Sequence, residues 1–195
     1  MTLWRIAAPA LAAAFLAAPA PAADLPVVTF RAPMENVREA KQLMNQGLDP
    51  EGTVEVSERA LLFKPPLVIT DLLAPGLPVN DEMRFVVAYL QTNIKGSADQ
   101  MADFWLPEER PGRLKAMRDP ERFQNNRAYF ARFPGITVMA MIQQPTTTTV
   151  YLGRGMTLQA VHLKRTPERF FLTTAPDNDL SLAIVEGALL TGSYD

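Results

Sequence analysis

The chain of 195 residues contains no cysteine and a single histidine, His162. The missing cysteine rules out disulfides, thiol chemistry and all-thiolate zinc, and it leaves burial to stabilise the fold. It also rules out a lipoprotein anchor, whose lipid is carried by a cysteine just after the leader. The scarcity of histidine excludes metal sites built on two or more imidazoles, and no metal or cofactor is called for. A serine hydrolase would need His162 beside Ser57, Ser97, Ser181 or Ser193, and none of these stands in a G-x-S-x-G elbow. Past the first 23 residues no apolar run is long enough to span a bilayer, so stable membrane insertion is not expected. A formal charge of −2 gives no drive toward nucleic acid.

What is present begins with a leader over residues 1–23. Arg5 supplies a positive n-region, an apolar run extends from Ile6 to Ala18, and Ala20-Pro21-Ala22 offers small residues for cleavage. Pro9, Pro19 and Pro21 interrupt the run and favour a cleaved leader over an anchor. This predicts a periplasmic or secreted protein whose mature chain starts at Ala23 or Asp24. Residues 24–195 then read as one α+β domain. It comprises a proline-rich N-terminal extension over 24–79, a helical part over 80–134, and an antiparallel meander with a terminal helix over 135–195.

Within the extension, Pro26 to Arg31 reads as a strand. Met34 to Gln46 reads as a helix with Met34, Val37, Lys41 and Met44 near one face. Val54, Val56, Ala60 and Leu62 read as a strand made irregular by Glu58. Prolines from Pro50 to Pro78 predict strand and loop rather than helix. Asn80 is placed to cap a helix whose apolar face is Met83, Val86, Val87, Leu90 and Ile94. Ser97 with Gln100 forms a capping box for a second helix, carrying Met101, Phe104 and Trp105 to Pro107. Asp119 before Pro120 starts a third, ending near Phe133. From Ile136 the period becomes two, with Ile136, Val138, Ala140 and Ile142 on one face. This is the first of four strands joined by short turns, and Gly153-Arg154-Gly155 reads as one such turn rather than a phosphate loop. After Pro176, Asp177 or Asp179 is placed to cap a last helix over Leu180 to Leu190.

The stretch from Val86 to Pro107, VVAYLQTNIKGSADQMADFWLP, resembles the opening helical hairpin of the nuclear transport factor 2-like superfamily, also called SnoaL-like or cystatin-like cone proteins. A third helix and a meander follow in that family's order, so the resemblance covers about residues 80 to 180. It implies helices packed on a curved antiparallel sheet around a conical pocket, often with sheet-mediated homodimers. Its members include isomerases, dehydratases, epoxide hydrolases and domains that only bind. Neither the isomerase nor the epoxide-hydrolase constellation maps onto this chain residue by residue.

Candidate site residues come from the third helix. Phe123, Arg127 and Phe130 recur at spacings of four and three, which sets a guanidinium in an aromatic stripe with Asn126 one position away. Arg127 must snorkel, pair with a carboxylate such as Asp103, or face a polar cavity. In the last case Arg127 and Asn126 bind a ligand with Tyr129 and Trp105 nearby, and His162 joins them from its strand. Arg110, Arg113, Lys115, Arg118 and Arg122 form a separate exposed cluster, while Glu108 and Glu109 read as solvated. The expectation is a soluble, exported, non-catalytic domain that binds a small molecule or an envelope protein. A cone-fold isomerase or hydratase using Asp, Tyr and Arg is one alternative, and a structural subunit of an envelope complex is the other.

Overall fold

The computed structural model describes residues 25–74, 80–154 and 157–195. The leader, Pro75, Pro78 and Gly155 lie outside the described residues. Six strands pair in sequence order, every pair antiparallel: β1 (Val27–Pro33), β2 (Thr53–Ile69), β3 (Ile136–Gln143), β4 (Thr147–Arg154), β5 (Thr157–Arg165) and β6 (Phe170–Thr173). The helices are α1 (Ala40–Asn45), α2 (Asp81–Lys95), α3 (Ala98–Ala102), α4 (Arg110–Met117), α5 (Pro120–Arg132) and α6 (Asp179–Thr191). The fold is α+β and contains the expected β3 to β6 meander. The N-terminal third extends that meander by adding β1 and β2 to one side of the sheet.

Consecutive residues of β4 show how the layers stack. Val150 and Leu152 pack with α2 and α5, whereas Tyr151 packs with α6, so helices cover both faces of the sheet. The expected shared face of Ile136, Val138, Ala140 and Ile142 does not form. Val138 pairs with Leu152 but Ala140 pairs with Tyr151, which leaves Met139 as an extra residue, a β-bulge. Ile136 and Val138 therefore face α2 and α5, and Ala140 and Ile142 face α6.

Other expectations are corrected by the packing. The Met34 to Gln46 helix is split into a 3-10 turn, Met34–Asn36, and α1, because Val37 between them is extended (φ −96°, ψ 118°). Met34, Val37 and Leu43 are buried, while Lys41 and Met44 point outward. Glu58 does not interrupt β2. It follows Val54 and Val56 on the same face and accepts a hydrogen bond from the Ser181 hydroxyl of α6. The irregularity falls instead between Leu62 and Leu67, where the β2–β3 register shifts around Pro65 and Pro66, residues that could not have donated to the ladder. The second helix ends at Ala102, short of Phe104 and Trp105. Helix α4, which has no buried residue and hence no apolar period to read, was not expected. Helix α6 is capped by Asn178, whose side chain accepts from Ser181 N at 3.0 Å, while Asp177 instead holds the β3–β4 turn through Thr146 and Thr147.

Both outer edges are covered. Residues 193–195 bond to β1 through Thr29 and Arg31, and residues 104–106 bond to β6 through Leu172. Gly187 lets α6 approach β1 and the 3-10 turn after it, since a Cβ there would come within 2.7 Å of Asn36 O and 3.0 Å of Ala32 Cβ. Among the described residues no helix is long and apolar enough to cross a membrane.

Candidate functional site

Helices α2 and α5 each place two residues one turn apart on the side that faces β5 and β6: Tyr89 and Asn93, and Asn126 and Phe130. With Trp105 and Gln159 they enclose a pocket of about 460 Å³. Asn80 as cap and Asp119 as cap set where the two helices begin, and so which residues face inward. Asn80 accepts from Met83 N at 2.9 Å, and Asp119 accepts from Glu121 N at 3.0 Å and Arg122 N at 3.2 Å.

A ladder of amides links the helices. Asn126 Nδ2 donates to Asn93 Oδ1 at 2.8 Å, and Asn93 Nδ2 donates to Tyr89 O at 2.8 Å. Asn93 is only 1% exposed, so this ladder satisfies an amide that burial would otherwise penalise. Burial also pushes the Tyr89 hydroxyl pKa up, with Asn93 and Arg113 opposing. Tyr89 is therefore a neutral phenol at physiological pH.

Trp105 is fixed by a parallel bridge to Leu172, and its ring is sandwiched by two contacts. The Arg113 guanidinium lies 3.9 Å from the ring centroid, and Tyr89 meets it edge-on at 6.4 Å. Its indole Nε1 is buried and has no acceptor. A buried indole N–H usually finds a partner, so this one is an unpaired donor on a residue of the pocket wall. The rim is tied down by Glu109, which accepts from Thr173 Oγ1 at 2.7 Å, Thr174 Oγ1 at 2.9 Å and Thr174 N at 3.1 Å. Glu109 is thus not a merely solvated helix terminus. Burial acts to raise its pKa, but these bonds and Arg113 prevail and hold it below the ordinary carboxylate value.

The structure brings together only part of the expected constellation. Asn126 and Trp105 line the pocket. Arg127, one residue on and so about 100° around the helix, points elsewhere. Its Nη2 donates to Gly96 O at the C-terminus of α2, and its guanidinium lies 4.6 Å from the Phe123 ring. It borders a separate open hollow with Ser97, Met117 and Pro120. Asp103, the expected carboxylate partner, pairs with Arg110 instead. Tyr129 packs on Phe130 and Phe133, and its hydroxyl is 3.3 Å from Thr157 Oγ1. His162 borders the pocket as a residue of β5, but its neighbour Val161 is the one whose side chain packs toward α2 and α5. The imidazole lies on the α6 face, with Nδ1 2.9 Å from Thr149 Oγ1, and burial lowers its pKa. It is neutral near pH 7.

One residue beside the pocket was missed altogether. Arg154, read as part of a turn, is the last residue of β4 and is 2% exposed. Its Nε, Nη1 and Nη2 are all buried without a hydrogen-bond partner, and its guanidinium lies 4.0 Å from the Phe130 ring centroid. Burial lowers its pKa, opposed only by Tyr129, yet a guanidinium remains charged. The signal in the sequence was alternation: Arg154 continues the inward face of Val150 and Leu152.

The wall thus offers aromatic surface, amide groups and a tryptophan whose indole donor is unpaired, and its lining residues include no carboxylate. Among the described residues no group of three or more His, Asp or Glu side chains is arranged to hold a metal ion. No protein-family model matches the chain, and no curated protein or solved structure matches it at a significant level.

Proposed function

We propose that this protein is an exported, soluble domain that binds a small molecule in the pocket between α2, α5 and the β5–β6 end of the sheet. The observation that carries the reading is the Trp105 indole N–H, buried on an aromatic wall with no acceptor of its own. A ligand oxygen or nitrogen would complete it. The pocket's size falls in the range of small-molecule sites. The lack of a carboxylate among its lining residues favours binding over an isomerase or hydratase, since proton abstraction needs a base within hydrogen-bond reach.

Export rests on the sequence pattern of residues 1–23. The order of α2, α3, α5 and the β3–β6 meander supports the resemblance to the nuclear transport factor 2-like superfamily, whereas α6 on the opposite face is additional to it. The envelope-subunit alternative called for a broad apolar patch over 47–79. Among the described residues of that segment the exposed large apolar side chains are Leu48, which precedes β2, and Val68 and Leu73, at and beyond its far end, so they are divided between the two ends of the strand.

The test uses the tryptophan itself. Trp4 belongs to the leader, so the processed chain carries Trp105 as its single tryptophan. Titration with a diverse set of small organic compounds should find some that shift Trp105 emission, and Gln159→Phe, which fills the pocket, should abolish those shifts. If no compound shifts the emission, or if Gln159→Phe leaves the shifts intact, the pocket is not the binding site.

A further inference from the structure

A buried cation with no counter-charge is unfavourable unless something supplies one. Arg154 is such a cation, and its position relative to the pocket is defined by the sheet. Gln159, on the pocket wall, pairs across the strands with Leu152. Arg154 stands two residues beyond Leu152 on the same face, so it is the diagonal neighbour of Gln159. Phe130 is the surface the two regions share, because its ring lines the pocket and also lies over the Arg154 guanidinium.

We propose that Arg154 is the anion anchor of this pocket, pairing with a single carboxylate at one end of a ligand whose aromatic or apolar body lies between Trp105, Tyr89 and Phe130. This inference rests on the pocket being a ligand site and adds the chemical class of the ligand. Phe130 is the cover: a change of its side-chain rotamer opens the guanidinium to the pocket.

Charge count selects a monoanion. No Lys or Arg is among the pocket-lining residues, and the nearby Arg113 is already committed to the Trp105 ring and, at 3.9 Å, to Glu109. Arg154 therefore supplies one uncompensated positive charge, which matches a carboxylate better than a phosphate dianion. Geometry selects the same group, since Nε and both Nη atoms are free and a planar carboxylate engages such a fork through two parallel hydrogen bonds. The Trp105 indole N–H then takes a polar atom elsewhere on the ligand body.

The test compares two isosteric probes, anthracene-2-carboxylate and anthracene-2-carboxamide, titrated calorimetrically into the full chain. The wild-type protein should bind the carboxylate at least about tenfold more tightly. Arg154→Met should erase that preference by lowering carboxylate affinity at least about tenfold, and Phe130→Ala, which removes the cover and part of the wall, should widen the ratio of carboxylate to carboxamide affinity. If both probes bind the wild type equally, the pocket stands and the anchor is wrong. If the preference survives in Arg154→Met, another group reads the charge and the anchor is again wrong. If neither probe binds the wild type but Trp105 emission still responds to other compounds, the pocket stands and an aromatic carboxylate is the wrong class. Failure of both measurements removes the pocket and the anchor together. Should Arg154→Met fail to fold, Arg154→Lys replaces it: a fork-dependent anchor loses most of the preference there, and an unchanged preference overturns it.

Discussion

Replacing Arg154 with methionine should make the ligand-free protein more stable, even though it deletes a residue that is almost fully buried. Arg154 is 2% exposed, and its guanidinium has no hydrogen-bond partner on any of its three nitrogens and only the rings of Phe130 and Tyr129 as electrostatic company. Taking an ion out of water costs several kcal/mol after relaxation, and a desolvated cation–π contact returns about 2 kcal/mol. Methionine keeps most of the stem volume and its contacts, so the exchange removes the desolvation cost and forfeits only the cation–π gain. The net effect works out at about 1 to 3 kcal/mol in favour of the variant. For a chain of this size that is a rise in Tm of roughly 2 to 12 °C. Urea denaturation followed by far-UV circular dichroism measures it directly, with an unchanged m-value as the control for two-state behaviour. A loss of stability above about 1 kcal/mol would refute the reasoning, because it would mean that the folded protein supplies Arg154 with acceptors of its own. A gain would identify Arg154 as a group retained at a cost in stability, which is the pattern expected of functional rather than structural residues.

Three further outcomes test the frame around the pocket. Asp119→Ala should destabilise the protein by about 0.5 to 2 kcal/mol, since its carboxylate caps α5 through two backbone N–H groups, and an unchanged denaturation midpoint would mean that the cap does not set α5. Glu109 has a folded pKa below its unfolded value, so its contribution is full above the unfolded pKa and is lost as pH falls through the folded one. Between about pH 5 and pH 3 the stability of Glu109→Gln should therefore fall less steeply than that of the wild type, and parallel curves would show that the Thr173 and Thr174 bonds do not form in solution. Mass spectrometry of the protein recovered from an expressing cell should find Ala23 or Asp24 at the N-terminus, and an intact Met1 to Ala22 on the functional protein would refute export.

The parts of the fold that were legible in the sequence are those specified by short-range chemistry. Asn80, Ser97 with Gln100, and Asp119 each cap a helix through groups two or three residues away, and the structure shows each bond. The strands β3 to β6 were legible because alternation and turn residues are equally local. The bulge at Met139 was not, because it changes which face a residue occupies without changing the residue types that alternate. Helix α4 escaped because nothing in it is buried. The site was half legible for a related reason. A polar residue within an apolar stripe singled out Asn126 and Arg127, and the same rule would have singled out Asn93 on α2 and Arg154 on β4. What separates these four is the acceptor each finds, and for Asn126 and Arg127 that acceptor is distant in sequence. Asn126 meets Asn93 across 33 positions, and Arg127 reaches the Gly96 carbonyl across 31. Arg154 finds none. The rule thus identifies which side chains need a partner, and only the packing of α2 against α5 over the sheet reveals that one of them has been left without it, beside a pocket able to bring one in.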